Sequence, residues 1–317
     1  MKCFLFCLPQ LIISTVYSII ILWDVICLEK VLEVKNLTKY YGKTLGVQDV
    51  NFELRKGEIF GFIGPNGAGK STTIRSILGL INKTSGQVVF KGKKLAGDDI
   101  EAKKKIGYLP SEVNLYDDLT VKEMLDFHAG FFNTDLTERR KELLERLKLD
   151  QTKKIEELSL GNLKKTGIVL ALMHSPELLI LDEPTSGLDP IIQKEFFDLL
   201  AQEKQNGTTI FYSTHILSEI SKICDRVGII RSGKMLKIEH IKELINKTFS
   251  YVVITSGELD AIIKTLKLTD YTVEDNTLTF KNTVGANALI KALAGHNIEK
   301  IYIEPASIED IFLHYYE

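Results

Sequence analysis

Gly64-Pro65-Asn66-Gly67-Ala68-Gly69-Lys70-Ser71 decides the fold class. It fits the pattern G-x-x-x-x-G-K-[ST], and its surroundings fit as well. Ahead of it, Ile59-Phe60-Gly61-Phe62-Ile63 is a short apolar run that reads as a buried strand. Behind it, the spacing predicts a helix over Ser71–Leu80. The glycines let backbone N–H groups curl around a β-phosphate, and the helix N-terminus adds its partial positive charge. Lys70 is placed to reach β and γ oxygens, and the Ser71 hydroxyl to bind Mg²⁺. A glycine-rich turn with a chance lysine would need neither flanking element. The loop calls for a nucleoside triphosphate and leaves open what its energy drives.

Leu178-Leu179-Ile180-Leu181 reads as a second apolar strand, and it ends in Asp182-Glu183. An acid at the carboxyl end of a buried strand beside a phosphate loop can hold Mg²⁺, usually through water. Glu183 beside it is placed to orient or deprotonate an attacking water. Alone, an apolar strand ending in two acids is commonplace on a sheet edge. The neighbours give it meaning. Leu158-Ser159-Leu160-Gly161-Asn162 opens a helix through Leu172, Ser186-Gly187-Leu188-Asp189 follows the acids, and a strand Thr209–Tyr212 leads to Ser213-Thr214-His215.

That ordered set resembles the ATP-binding cassette of ABC transporters over roughly Val31 to His240. The resemblance implies an α/β P-loop core with a helical subdomain, ATP and Mg²⁺ as cofactors, and ATP hydrolysis. Gly64, Asn66, Gly67, Gly69, Lys70, Ser71 and Thr72 then correspond to the Walker A contacts, and Asp182 to the Walker B acid that shares the metal with Ser71. Glu183 corresponds to the catalytic glutamate and His215 to the switch histidine, with Asp189 in the D-loop. Tyr41 is similar to the aromatic residue that stacks on adenine, with Tyr40 as its rival. The other histidines, His174 among them, read as structural or surface residues.

Two departures from the family pattern stand out. The signature reads LSLGN instead of LSGGQ, keeping Ser159 and Gly161, whose hydroxyl and helix-end N–H groups would contact a γ-phosphate. Variants of this kind resemble the drug- and ion-export, bacitracin-resistance-like branch. In Ile106-Gly107-Tyr108-Leu109-Pro110-Ser111-Glu112, Ser111 occupies the position where the family carries glutamine. A serine cannot reach a metal as glutamine can, and Glu112 is the nearest substitute. Val121–Phe132 and Glu138–Leu147 have helical spacing and would form the subdomain that docks on a membrane partner. Lys91–Lys105 reads as a solvated, charged surface.

The chain is long enough for two domains, at 317 residues, with 44% apolar and 26% charged residues as in ordinary globular proteins. Forty basic against 42 acidic residues leave a net charge of -2, which gives no electrostatic footprint for nucleic acid. We expect residues 29–240 to form the ATP-binding domain and 241–317 an accessory domain. In the latter, Tyr251–Thr255, Leu259–Leu266, Tyr271–Val273, Leu278–Phe280, Ala286–Leu293 and Ile298–Ile303 read as β-α-β-β-α-β, the split ferredoxin-like arrangement. The closing Pro305–Phe312 is similar to the tail of export-type cassettes, with Ser307 as a helix N-cap.

Residues 1–28 differ from the rest. They carry Cys3, Cys7 and Cys27, leaving Cys224 alone in the body, so no disulfide framework or structural zinc is expected there. Phe4–Trp23 is a run of 20 uncharged residues, about the length that spans a bilayer. Three readings stand open: a membrane anchor, a cleaved signal peptide, or a mis-assigned translation start near Val25 or Leu28.

The function expected is an ATPase subunit of an export-type ABC transporter at the cytoplasmic face of the membrane, peripheral to separate membrane-spanning subunits. Its other partner would be a second ATP-binding subunit, identical or not. The alternative is a soluble cassette protein acting on the ribosome or DNA. Such proteins carry paired cassettes or a long coiled coil, and neither pattern is present. A GTPase is disfavoured because Asn82-Lys83 and Asn246-Lys247 lack the aspartate of N-K-x-D.

Overall fold

The computed structural model describes residues 29–246 and 250–305. These fall into two compact units, divided between Ile238 and Glu239. The readings made for residues 1–28 and for the tail beyond Pro305 lie outside the described residues. Among the described residues, no helix is long and apolar enough to cross a membrane.

In the first unit, β1 (Lys30–Tyr41) and β2 (Thr44–Arg55) form a hairpin. Strand β3 (Ile59–Ile63) leads into the phosphate loop and helix α1 (Lys70–Ile77). Strands β4 (Ser85–Phe90) and β5 (Lys93–Lys94) complete an antiparallel sheet of order β2-β1-β4-β5. A second sheet adds β6 (Ile106–Leu109), β7 (Leu178–Asp182), β8 (Thr209–Thr214), β9 (Arg226–Arg231) and β10 (Lys234–His240), in the order β10-β9-β3-β8-β7-β6. Every residue of β3, β7 and β8 is buried, as parallel strands covered on both faces require. Phe52 of β2 stacks on Phe60 of β3 and Phe211 of β8 at 5.5 and 5.4 Å, joining the two sheets in one core. Each such pair is worth about 0.5–1.5 kcal/mol beyond area burial.

Parallel register sets the site. Ile63 pairs with Thr214 and Asp182 with Ser213, so β3, β7 and β8 end at one edge. The segments beginning at Gly64, Glu183 and His215 therefore leave the sheet side by side.

A short turn of helix, α2 (Ile100–Lys103), lies in the otherwise exposed 91–105 stretch, with Leu95 buried. Helix α3 (Val121–Ala129) opens with a capping box between Thr120 and Glu123. Helix α4 (Thr137–Arg146) is tied to α6 (Pro190–Gln205) by Arg146, 2.5 Å from Glu195 and 2.6 Å from Gln202, and by Arg139 on buried Glu203. Helix α5 (Leu160–Leu172) packs on β6 and leads to β7, and α7 (Leu217–Ile223) follows β8. Helix α1 ends three residues earlier than its apolar pattern predicts, because Gly79 turns the chain at φ +68°.

The second unit opens with α8 (Ile241–Asn246), followed by β11 (Ser250–Thr255), α9 (Leu259–Leu266), β12 (Tyr271–Glu274), β13 (Thr277–Asn282), α10 (Ala286–Leu293) and β14 (Lys300–Pro305). The sheet order is β12-β13-β11-β14 with its three strand pairs antiparallel, the split β-α-β-β-α-β topology. Asp275 and Asn276, both at positive φ, close the two-residue turn between β12 and β13. Val252, Ile254, Leu278 and Phe280 pack against Ile262 of α9 and Leu289 and Leu293 of α10.

Candidate functional site

Three glycines shape the phosphate loop. A side chain at Gly64 would meet the Ile230 carbonyl at 2.3 Å. Gly67 and Gly69 have φ of +79° and +105°, a region that L side chains rarely adopt. Gly69 then caps α1 and leaves its first N–H groups without intrahelical partners. Lys70, the first helical residue, is only 5% exposed. Its Nζ donates to the carbonyls of Gly64 at 2.8 Å and Pro65 at 3.3 Å, and lies 3.3 Å from Glu183 Oε1. Phosphate oxygens can replace all three of these partners. A cleft of about 310 Å³ is lined by Tyr41, Leu45, Gly46, Asn66, Gly67, Gly69, Lys70, Ser71, Thr72 and Glu183. Tyr41 thus lies in the cleft, with Lys39 Nζ 4.9 Å from its ring centre, whereas Tyr40 does not line it.

Asp182 is fully buried at the end of β7. Its Oδ1 accepts from Ser213 Oγ at 3.1 Å, and among the described residues its Oδ2 has no hydrogen-bond partner. Burial pushes this carboxyl above the usual range, opposed by the Ser71 and Ser213 hydroxyls. A buried carboxylate oxygen left unpaired beside a serine hydroxyl is a donor set that fits a hard divalent cation such as Mg²⁺. Among the described residues, no cluster of three or more His, Cys, Asp or Glu forms a metal site of its own.

Glu183 sits at φ +48°, unusual for a residue with a side chain, and its N–H donates to the Ser213 carbonyl at 2.9 Å. One carboxylate oxygen faces Lys70, and the other lies 2.7 Å from Nδ1 of His215, which is 46% exposed. Lysine, glutamate and histidine thus form one polar chain from the phosphate loop to solvent.

The signature residues lie elsewhere. Ser159 caps α5, accepting from Asn162 N–H at 3.3 Å. A side chain at Gly161 would meet the Gly187 carbonyl at 3.0 Å, so the start of α5 rests against the Ser186–Asp189 turn. Asp189 caps α6, accepting from Ile191 and Ile192 N–H at 3.0 Å each. None of Ser159, Gly161 and Asp189 lines the cleft.

Sequence reasoning missed Lys164. It is buried on α5 and donates to the carbonyls of Pro110 and Ser111 at 3.0 and 2.9 Å. Burial pushes its ammonium down to about 8, against the pull of Asp182 and Glu183. Lys164-Lys165 reads in sequence as an ordinary exposed pair, and only the position of Lys164 on the inward stripe of α5 signals otherwise. A larger groove of about 750 Å³ along α4, lined by Lys122, Arg140, Lys141 and Lys148, has neither a phosphate loop nor a carboxylate pair.

Residues 47–186 match the family described as ABC transporter. The chain is 35% identical to the linearmycin resistance ATP-binding protein LnrL of Bacillus subtilis, over 89% of this chain and 97% of that one. It is 36% identical to the bacitracin transport ATP-binding protein BcrA of Bacillus licheniformis, over 89% and 96%. Among solved structures, an ATP-binding subunit of an ABC transporter matches at TM-score 0.65 and 32% identity, over 68% of this chain and 92% of that one. A dimeric cassette in a post-hydrolysis state with ADP and Pi matches at TM-score 0.60 and 27% identity, over 66% and 98%.

Proposed function

We infer that this protein, which belongs to the ABC transporter family as an ATP-binding and ATP-hydrolysing subunit, energises export through separately encoded membrane subunits. The polar chain Lys70–Glu183–His215 at the common edge of β3, β7 and β8 carries the hydrolytic part of this reading. Lys70 and the N–H groups of the loop bind the β and γ phosphates, and Tyr41 stacks on the base. Ser71 and Asp182 would hold Mg²⁺, which supplies charge neutralisation on the phosphates when bound. Glu183 orients the attacking water and accepts its proton, while His215 holds the Glu183 carboxylate and senses the γ-phosphate. Residues 29–240 act as the ATP-binding domain and 241–317 as an accessory domain.

Exposed Ser159 and half-buried Gly161, both outside the cleft, serve the site of a second ATP-binding subunit arranged head to tail. ATP closes that pair, and loss of the γ-phosphate contacts opens it. Exposed Tyr116, Phe127 and Phe131, in edge-to-face contact at the start and on one side of the helical subdomain, suit it to dock on the membrane partner. The protein then works peripherally, at the cytoplasmic face. The names of the two relatives point to antimicrobial compounds as the exported cargo.

Vesicles containing the membrane subunits encoded beside this gene test the proposal. With this protein and ATP on the outer face, they should accumulate such a compound, and Lys70→Ala should abolish uptake. Equal accumulation without the protein, or stimulation of its ATPase by ribosomes instead of by the membrane subunits, would overturn it.

A further inference from the structure

Glu219 is a buried acid with no task in the scheme above. It lies on α7 and is 5% exposed, and among the described residues it has no salt-bridge partner. Its carboxylate instead accepts three hydroxyl hydrogen bonds. Thr185 Oγ1 donates to Oε1 at 2.6 Å, while Tyr212 Oη and Thr214 Oγ1 donate to Oε2 at 3.0 and 2.7 Å. A carboxylate taken out of water is costly unless donors surround it, so this cluster is a built feature of the fold.

Its partners bracket the reacting pair. Thr214 immediately precedes His215, and its Oγ1 also accepts from Ile216 N–H at 3.0 Å, so one hydroxyl fixes the backbone on both sides of the histidine. Thr185 is two residues beyond Glu183, whose backbone sits in the left-handed region. The turn that Thr185 begins is closed by Leu188 N–H on the Thr185 carbonyl at 3.0 Å, and by Gln193 Nε2 on the Leu188 carbonyl at 3.0 Å. We propose that Glu219 is a positioning residue for ATP hydrolysis: its carboxylate ties the segment carrying Glu183 to the segment carrying His215. The contact between those two side chains is then set from beneath. His215 is too exposed to hold one rotamer by packing alone, and a backbone fixed on both sides removes that freedom. This deepens the reading of Glu183 and His215 as the hydrolytic pair and rests on it.

The test uses the full chain and compares Glu219→Leu, which leaves three hydroxyls unpaired, with Glu219→Gln, which keeps size and an accepting oxygen. Steady-state ATPase, KM for ATP and Tm are measured in the native and His215→Ala backgrounds. Glu219→Leu should lower kcat roughly 10- to 100-fold with KM within about threefold, the pattern of a lost transition-state arrangement. Glu219→Gln should recover most of that loss. In the His215→Ala background, Glu219→Leu should cost less than about threefold, because residues acting as a unit are not additive. If Glu219→Leu does not fold, Thr185→Val and Thr214→Val replace it, each with a smaller kcat loss that also vanishes in the His215→Ala background. Losses of equal size in both backgrounds, or a lowered Tm with unchanged kcat, overturn the role of Glu219 alone. An unchanged kcat in His215→Ala by itself overturns the reading of His215, and this inference with it.

Discussion

The phosphate loop and the start of α5 are both helix N-termini, yet the structure treats them differently. Around the loop, the charged side chains are held by other parts of the site: Lys70 by two carbonyls and Glu183, Glu183 by His215, and one Asp182 oxygen by Ser213. At α5, the Ser159 hydroxyl bonds, among the described residues, only to its own helix, and its neighbour Leu160 is 80% exposed. Under the proposed function, this exposed start of α5 is the surface that meets a second subunit. The difference teaches that one chain carries a finished cradle and a separate, unengaged contact.

The largest effect should come from the cradle. Glu183→Gln removes the proposed proton acceptor while leaving Lys70, Ser71 and Asp182 in place. Hydrolysis should fall about 10²–10⁴-fold with ATP affinity kept, and dimers should accumulate with ATP. A near-normal rate would move the base elsewhere, with His215 next in line. Lys70→Ala should instead weaken ATP binding by roughly 10²-fold or more, as truncating a buried, hydrogen-bonded charge does. Equilibrium binding of a fluorescent ATP analogue separates the two variants.

The start of α5 breaks or keeps the comparison. Ser159→Ala should leave ATP binding by the isolated chain unchanged, lower hydrolysis by about tenfold, and cost about 1 kcal/mol of stability as a lost N-cap. Mixing it with Lys70→Ala is the sharper measurement. If each ATP lies between Lys70 of one subunit and Ser159 of the other, a mixed pair holds one intact site. Random exchange of subunits should then restore about a quarter of the native activity from two defective proteins. No recovery on mixing would mean that one chain completes its own site.

How much of this was legible in the sequence follows from the range of the interactions. Gly64, Gly67, Gly69 and Lys70 act within one turn, so spacing alone identified them, and the fully apolar strands β3, β7 and β8 were equally plain. The sequence preferred Tyr41 with Tyr40 as its rival, and in the hairpin it is Tyr41 that lines the cleft. Lys164 was not legible, because its partners lie 54 and 53 residues away. Glu219 was not, because the hydroxyl that ties it to the Glu183 segment lies 34 residues away, even though Tyr212 and Thr214 are close in the chain. Each belongs to a residue type that is usually exposed, and the position of Lys164 on the inward stripe of α5 is the one local sign against that. The capping bonds of Ser159 and Asp189 sit at the same helix starts that suggested ligand contacts, so the sequence alone does not separate the two jobs.

The smallest expected effect concerns what holds the far end of α5. His174, just beyond that helix, stacks on Phe132 at 4.6 Å and meets His128 of α3 edge-on at 5.7 Å. Both ring nitrogens of His174 and Nε2 of His128 are buried, and among the described residues none has a partner of full hydrogen-bond geometry, the Ile106 and Leu170 backbone being the nearest polar support. Burial, reinforced by His128, pushes His174 down to about 4, and burial lowers His128 as well. The sign follows from proton binding: as pH falls below the ordinary histidine value near 6.5, the unfolded chain takes up a proton that the folded chain refuses until about 4. Folding stability from His174 is therefore full above pH 6.5 and lost progressively toward pH 4, by on the order of 3 kcal/mol at most. His174→Phe keeps the stacking and removes the titration. At pH 7 it should change stability by less than about 1.5 kcal/mol, and between pH 6.5 and 4 it should flatten the decline, leaving the smaller slope due to His128. Hydrogen exchange gives the regional readout, since acid should loosen amides of α3 and the end of α5 before those of α1 in the cradle. An unaltered pH slope in His174→Phe, or α1 opening first, would show that the imidazole pair does not secure the α5 side of the molecule.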